Sequence, residues 1–217
     1  TKQQESLIKS VFPYVRCKTL PPVVPSIFRK PIEPKKLLVN IITSDQRIAN
    51  RITKTFYWKY PMYKFISFVD LRNRPREEFA EKLREGAITI WVDNDTPFGH
   101  SAVEAIACDN ILIGKVPEMV PEWMIDEDGG LNDCGIWTYD INVIPDLLAN
   151  VVGAWMQDMV PEQLISAMDE VNTKYTVDKW EENVDGVMST IINEQIKSFE
   201  QIKNSIKQKI TNETKED

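Results

Sequence analysis

The residues best suited to chemistry lie in one stretch, DNDTPFGHSAVEA (93–105). It follows an apolar run and continues into a predicted helix. Free backbone amides at a helix start, beside a glycine without a side chain, let a phosphate approach closely. Glu104 lies about one helical turn further on, where its carboxylate can accept hydrogen bonds from sugar hydroxyls. His100 is the only histidine, and the positive end of the helix should lower its pKa and keep it neutral at pH 7. Together these residues suit an anionic ligand that carries hydroxyl groups.

Two other loops follow predicted strands and are also candidate ligand sites. The loop at Thr43–Asp45 lacks a glycine-rich phosphate motif, so classical dinucleotide binding is not expected. The loop 70–76 holds three arginines that could contact an anion, although such side chains are usually solvated. Asp93 and Asp95 form the only pair that resembles a metal-binding carboxylate motif, and we predict neither a metal site nor a cofactor.

Composition narrows the class of protein. The chain has 217 residues with 26 basic and 33 acidic side chains, and the resulting charge of -7 argues against a nucleic-acid partner. No apolar run approaches the roughly 18 residues of a membrane span. The three cysteines are widely spaced and form no CxxC motif, which predicts reduced thiols in a cytoplasmic protein.

Short apolar runs alternate with helical segments after residue 36. The predicted strands are Leu37–Thr43, Tyr63–Leu71, Ala87–Val92, Ile111–Lys115 and Ile136–Thr138. The predicted helices are 45–59, 75–85, 99–108, 142–156, 162–170 and 177–210. Strands that alternate with helices in this way indicate βαβ units, and therefore an α/β fold with a single Rossmann-like parallel sheet flanked by helices.

The two ends of the chain differ from this middle part. Residues 1–35 include five prolines within fourteen residues, which predicts an extended segment or linker. We assign residues 36–182 to the Rossmann-like domain and residues 183–217 to a long amphipathic helix with a polar tail. Six large apolar residues form one stripe on that helix, and the stripe packs either on its own chain or on another polypeptide. They are Ile192, Ile196, Phe199, Ile202, Ile206 and Ile210.

The segment TPFGHSAVEAIACDNILIGKVPEMVPEWM (96–124) resembles the C-terminal, nucleotide-sugar-binding domain of GT-B-type glycosyltransferases. It is most similar to the retaining group that includes glycogen synthase and sucrose synthase. Four features follow one another in the order of that family. They are Phe98-Gly99, Glu104-Ala105, a strand over 111–114 and Pro117-Glu118. The likeness covers roughly residues 36–195 and implies half of a GT-B fold.

The resemblance implies roles for particular residues. Glu104 would bind the ribose of a nucleotide sugar, and the amides around Phe98, Gly99 and His100 would meet its phosphates or sugar. Thr96 and Ser101 complete the substrate-binding candidates, whereas no catalytic residue is identified. Two further candidate phosphate contacts lie after the first strand. They are Arg47 and Arg51.

Three departures from the family pattern leave two hypotheses open. Thr96 stands where the family has the first glutamate of its Glu-x7-Glu motif, and its basic pair is not clearly present. The family also carries the acceptor on a separate N-terminal domain, which 36 residues cannot build, so the proline-rich segment resembles the hinge to it. The chain is then the donor half of a glycosyltransferase whose acceptor side comes from another chain. Alternatively, it is an inactive glycosyltransferase-like module with a structural or interaction role in a larger assembly.

Overall fold

Strands and helices alternate along the chain as the hydrophobic pattern predicts. The computed structural model describes the backbone of residues 2–93 and 96–213 and the side chains of residues 4–93 and 96–206. The strands within these ranges are β1 Lys36–Thr43, β2 Ser67–Asp70, β3 Gly86–Val92, β4 Ile111–Lys115 and β5 Ile136–Thr138. The helices are α1 Lys2–Val11, α2 Gln46–Lys59, α3 Arg76–Glu85, α4 His100–Ala107, α5 Ile144–Met156, α6 Glu162–Lys174 and α7 Val177–Glu213.

The five strands found in the described residues form one sheet in the order β2-β1-β3-β4-β5, and every neighbouring pair is parallel. The predicted α/β, Rossmann-like class is therefore confirmed. The chain turns back across the sheet between β1 and β3, so the loops that follow these two strands diverge. In parallel α/β sheets, ligands bind in the crevice that such a reversal opens at the carboxyl ends of the strands.

The centre of the sheet is buried on both faces because helices cover both sides of it. Of ten strand positions that the apolar runs predict to be buried, eight are. They are Val39, Ile41, Ile66, Ile88, Ile90, Val92, Leu112 and Ile113. Leu38 and Phe68 are only partly buried, since they lie beside or on β2, the edge strand, which is paired on one side only.

The second strand is shorter than predicted. Residues 61–63 form a 3₁₀ helix that Pro61 begins, and the Ile66 amide donates to the Tyr63 carbonyl at 3.0 Å. The Tyr63 ring stacks on the buried Phe56 ring, with centroids 5.9 Å apart. Aromatic packing therefore holds this part in a turn, and the strand begins only at Ser67.

The second half of the proline-rich segment is irregular rather than extended throughout, with a turn at 26–28, and it packs against the domain. Phe28 is 4% exposed, and the Val24 amide donates to the Tyr175 carbonyl at 2.9 Å. Lys35 Nζ donates to the Leu83 carbonyl at 3.0 Å and to the Gly86 carbonyl at 2.6 Å, at the end of α3. Burial lowers the pKa of Lys35 to about 8. Residues 24–35 thus belong to the packed structure, while the helix α1 at the start of the chain was not predicted.

Helix α7 leaves its apolar stripe largely uncovered by the described chain. Ile192, Ile196, Phe199, Ile202 and Ile206 are between 51% and 78% exposed. The side chain of Ile210 lies outside the described residues. An ion pair from Arg16 to Glu194, with nitrogen and oxygen 2.7 Å apart, connects the N-terminal segment to this helix. No helix in the described residues is long and apolar enough to cross a membrane.

Candidate functional site

The candidate site begins where β3 ends and α4 begins. Gly99 caps α4 in the left-handed conformation, with φ +70° and ψ +48°. Its carbonyl accepts the Ala102 amide at 3.0 Å, which closes the first turn. Within the described part of the chain, the amides of Gly99, His100 and Ser101 have no acceptor. These are the donors that a helix start offers to an anion.

Gly99 is required here for two separate reasons. A positive φ of this size is disfavoured for residues with a side chain. In addition, a Cβ atom at this position would lie 2.8 Å from Cζ2 of Trp91 and 3.4 Å from Cζ2 of Trp123. The backbone therefore approaches the tryptophan pair more closely than any other residue would allow.

Phe98 anchors the loop through its side chain and its carbonyl. The ring is 4% exposed and lies edge-on to Tyr175, with centroids 5.2 Å apart. Trp123 Nε1 donates to the Phe98 carbonyl at 2.5 Å. The side chain thus belongs to the core, and only the backbone of Phe98 remains for a ligand.

Glu104 is a buried carboxylate at the edge of this loop. It is 2% exposed, and its Oε1 accepts a hydrogen bond from Nη2 of Arg76, the first residue of α3. Burial raises the pKa of Glu104 above its usual value, and the positive charge of Arg76 opposes that rise. A charge this deeply placed needs a partner, and Arg76 supplies it.

His100 points outward from the first turn of α4. Its ring contacts Phe98, with centroids 4.8 Å apart. Partial burial, together with the nearby charge of Arg76, lowers the pKa of His100. The sequence also predicts a lowered pKa for His100, but from the positive end of the helix and not from burial and Arg76. A neutral imidazole can then donate or accept at pH 7.

A cavity of about 510 Å³ opens between α3 and the start of α4. It is lined by Arg74, Arg76, Phe79, Thr96, His100, Ser101 and Glu104. Four of the six predicted substrate-binding residues thus line one cavity, and the other two, Phe98 and Gly99, form the backbone beneath it. This volume lies within the range of about 300–1,000 Å³ that is typical of small-molecule sites. Thr96 Oγ1 donates to Asp93 Oδ2 at 2.9 Å.

The two predicted phosphate contacts on α2 are placed elsewhere. Arg47 is highly exposed and pairs with Asp45, the cap of its own helix, at 2.9 Å. Arg51 donates to Asn142 Oδ1, near the start of α5. Neither residue lines the cavity around Glu104.

Arg74 and Arg76 occupy that place instead. Both belong to the arginine-rich loop 70–76, and its position after β2 was the signal in the sequence that pointed to them. Phe79 was not anticipated, because a phenylalanine inside a helix carries no sign that it borders a cavity.

No three His, Cys, Asp or Glu side chains cluster as a metal site would require among residues 4–93 and 96–206, the side chains that the structure describes. Asp95, the second member of the carboxylate pair noted above, lies outside the described residues. The cysteines Cys17, Cys108 and Cys134 are unpaired.

No family model matches the sequence, and no curated protein matches it either. Among solved structures, the GtfA/B complex is similar with a TM-score of 0.55 and 14% identity, over 88% of this chain and 44% of that chain. The C-terminal domain of a glycosyl transferase group 1 family protein (LpcC) from Francisella tularensis has a TM-score of 0.50 and 16% identity, over 70% and 97%.

A sucrose-phosphate synthase from Thermosynechococcus elongatus is similar with a TM-score of 0.54 and 12% identity, over 88% of this chain and 57% of that chain. This chain therefore spans about half the length of the GtfA/B and sucrose-phosphate synthase chains, but nearly the whole isolated LpcC domain. With identities this low, the likeness concerns the fold. The chain has the fold of the C-terminal domain of GT-B glycosyltransferases.

Proposed function

We propose that this chain is the donor-binding domain of a nucleotide-sugar-dependent glycosyltransferase. The observation that carries the proposal is the cavity of about 510 Å³ in which a buried carboxylate, Glu104, lies beside a helix start with free amides. A nucleoside diphosphate sugar needs both features, because its phosphates require donors and its ribose hydroxyls require an acceptor.

In this proposal, each part of the cavity contacts a different part of such a ligand. The amides of Gly99, His100 and Ser101 meet phosphate oxygens or the donor sugar. Glu104 Oε2, the oxygen that Arg76 does not occupy, accepts from a ribose hydroxyl. Thr96, at the rim, contacts the sugar through its hydroxyl. The similarity to a glycosyl transferase group 1 domain supports this division, because such a domain has the same fold.

The chemistry follows from charge development. As the acceptor hydroxyl attacks the anomeric carbon, the bond to the nucleoside diphosphate breaks and negative charge grows on the departing phosphate. Fixed amide dipoles and a nearby cation stabilise that charge, so the proposed transfer requires no resident cofactor. The acceptor binds on another polypeptide, which α7 contacts through its apolar stripe. The three unpaired thiols are in keeping with a cytoplasmic protein.

A second candidate function is an inactive, glycosyltransferase-like module with a structural or protein-interaction role. Two observations favour it. Thr96 replaces the first acid of the family motif, and α7 exposes a stripe suited to a partner chain.

Calorimetric titration of the chain with UDP, GDP and ADP separates the two candidates. The donor-binding proposal predicts that one of them binds, and that Glu104→Ala weakens it about ten- to a hundredfold, as for a lost hydrogen bond to a charged group. His100→Ala should weaken binding and leave the fold intact, because the imidazole is exposed. Glu181→Ala, which removes an exposed carboxylate on α7, is the matched control. Silence of all three nucleotides at millimolar concentration would contradict the proposal and support the inactive module.

A further inference from the structure

We propose that Arg76 is the cation that binds the diphosphate of the ligand, and that Phe28 of the proline-rich segment positions it. This inference rests on the proposed function, because it names the residue that meets the phosphates of the same donor. The sequence offered Arg76 only as one of three arginines in the loop 70–76, and it gave no role to Phe28.

The Arg76 guanidinium is held on one edge and on one face. Nη2 donates to Glu104 Oε1, and Cζ lies 4.8 Å from the centroid of the Phe28 ring. The side chain is nevertheless 52% exposed, because it borders the cavity. Its other N–H groups find no acceptor within the described ranges of the chain. One edge of the planar fork is thus fixed, and the other is available to a ligand.

The other candidate arginines either lie outside the cavity or use more of their donors. Arg47 places Nε and Nη2 on the Asp45 carboxylate, and Arg51 donates to Asn142. Arg74 lines the cavity, yet its Nε donates to the Asp70 carbonyl at 2.8 Å and its Nη1 to Glu78. Arg76 therefore combines a place in the cavity with donors that the described chain leaves unused.

The Glu104–Arg76 ion pair restricts how an anion can approach Arg76. An anion that pulled Arg76 away would leave Glu104 as an uncompensated buried charge, which is strongly unfavourable. A ligand that approaches the open edge avoids this, since one N–H of Nη2 stays on Oε1 while its second N–H and that of an adjacent guanidinium nitrogen donate to phosphate oxygens. Two adjacent phosphate groups match the fork and the neighbouring amides of α4. Oε2 then remains available for a ribose hydroxyl.

Phe28 acts through Arg76 and is a positioning residue. Its ring is 4% exposed and packs edge-on against Phe79 on α3, with centroids 6.0 Å apart. The ring thereby presents a fixed aromatic face to the guanidinium, a contact that favours a cation. The N-terminal segment consequently takes part in the site without touching the ligand.

The test uses inorganic pyrophosphate and free nucleosides as separate probes, next to the nucleoside diphosphates, in calorimetric titrations of the whole chain. Arg76→Ala should weaken pyrophosphate and nucleoside diphosphate about ten- to a hundredfold. Arg76→Lys keeps the charge and loses the fork, so it should weaken pyrophosphate about three- to tenfold with nucleoside affinity unchanged. Phe28→Leu keeps apolar volume and removes the aromatic face, which predicts a loss of about two- to fivefold for pyrophosphate and the nucleoside diphosphates, with nucleoside affinity unchanged.

The control is Arg29→Ala, which removes an exposed arginine that borders a different cavity and should leave every affinity unchanged. Circular dichroism checks folding, and Arg76→Lys decides the matter where Arg76→Ala does not fold. If the wild type binds nucleotides and Arg76→Lys binds pyrophosphate as tightly as the wild type, the inference is wrong and the proposed function stands. If pyrophosphate binds through Arg76 but no nucleotide binds, the anion site stands and the proposed function falls. If the wild type binds neither, both fall.

Discussion

Replacing Gly99 by alanine tests how the loop before α4 is built. The substitution imposes a left-handed conformation on a residue with a side chain, which costs roughly 1–2 kcal/mol. It also places a methyl group 2.8 Å from Cζ2 of Trp91, closer than real Cβ contacts allow. Trp91 is fully buried and lies against Trp123, with ring centroids 6.0 Å apart, so it has little room to retreat. Crowding of this kind in a packed core adds about 1–3 kcal/mol.

The expected loss in free energy of unfolding for Gly99→Ala is therefore about 2–5 kcal/mol. Gly129 offers a matched control, because it also has a positive φ, of 86°, yet a Cβ atom there would meet nothing within 4 Å. Gly129→Ala should lose only the backbone contribution of about 1–2 kcal/mol. Urea unfolding of both variants, followed by tryptophan fluorescence, measures the difference. Equal losses for the two would refute the close approach of Gly99 to Trp91.

Three further predictions concern His100, Lys35 and α7. Burial and Arg76 lower the pKa of His100, so protonation opposes folding, and the wild type should lose stability relative to His100→Gln as the pH falls below about 6.5. Burial lowers the pKa of Lys35 to about 8, so the folded state binds fewer protons than the unfolded state between that value and the usual 10.5. The free energy of unfolding of the wild type should therefore rise between pH 8 and 10.5, by on the order of 1–3 kcal/mol relative to that of Lys35→Met. Urea unfolding measures both, and parallel pH profiles for the two proteins would refute this. Removing residues 196–217 should abolish association in light scattering while the α/β domain stays folded, whereas a monomeric intact chain with a protease-resistant C-terminus would contradict the docking of α7 on another chain.

The central fold was predictable because its signals are local. Strands covered on both faces are apolar throughout, and β4 and β5 begin and end where the apolar runs place them. Asp45 caps α2 through its side chain; the sequence offers two residues for this position, Ser44 and Asp45. The start of β2 was wrong because stacking of Tyr63 on Phe56 joins residues from two different elements. Tertiary packing of that kind produces no periodic pattern in the sequence.

The candidate site was likewise predictable only in part from the sequence. Thr96, His100, Ser101 and Glu104 were identified together because one short segment carries them all. Arg76 approaches Glu104 from 28 residues away in the chain, Phe28 approaches Arg76 from 48 residues away, and only the folded structure shows these contacts. The two candidates on α2 were chosen for their nearness to β1, but Asp45 and Asn142 engage them instead.

Hydrogen–deuterium exchange of the backbone amides tests most directly whether the start of α4 is the ligand site. The amides of Gly99, His100 and Ser101 have no acceptor in the described chain, so they should exchange rapidly in the free protein. With UDP, GDP or ADP, whichever binds in calorimetry, at a concentration near the wild-type Kd, we expect slower exchange in peptides that cover residues 98–101, and much less slowing there in Glu104→Ala. Protection confined to the α2 segment around Arg47 and Arg51, with residues 98–101 unchanged, would contradict the account.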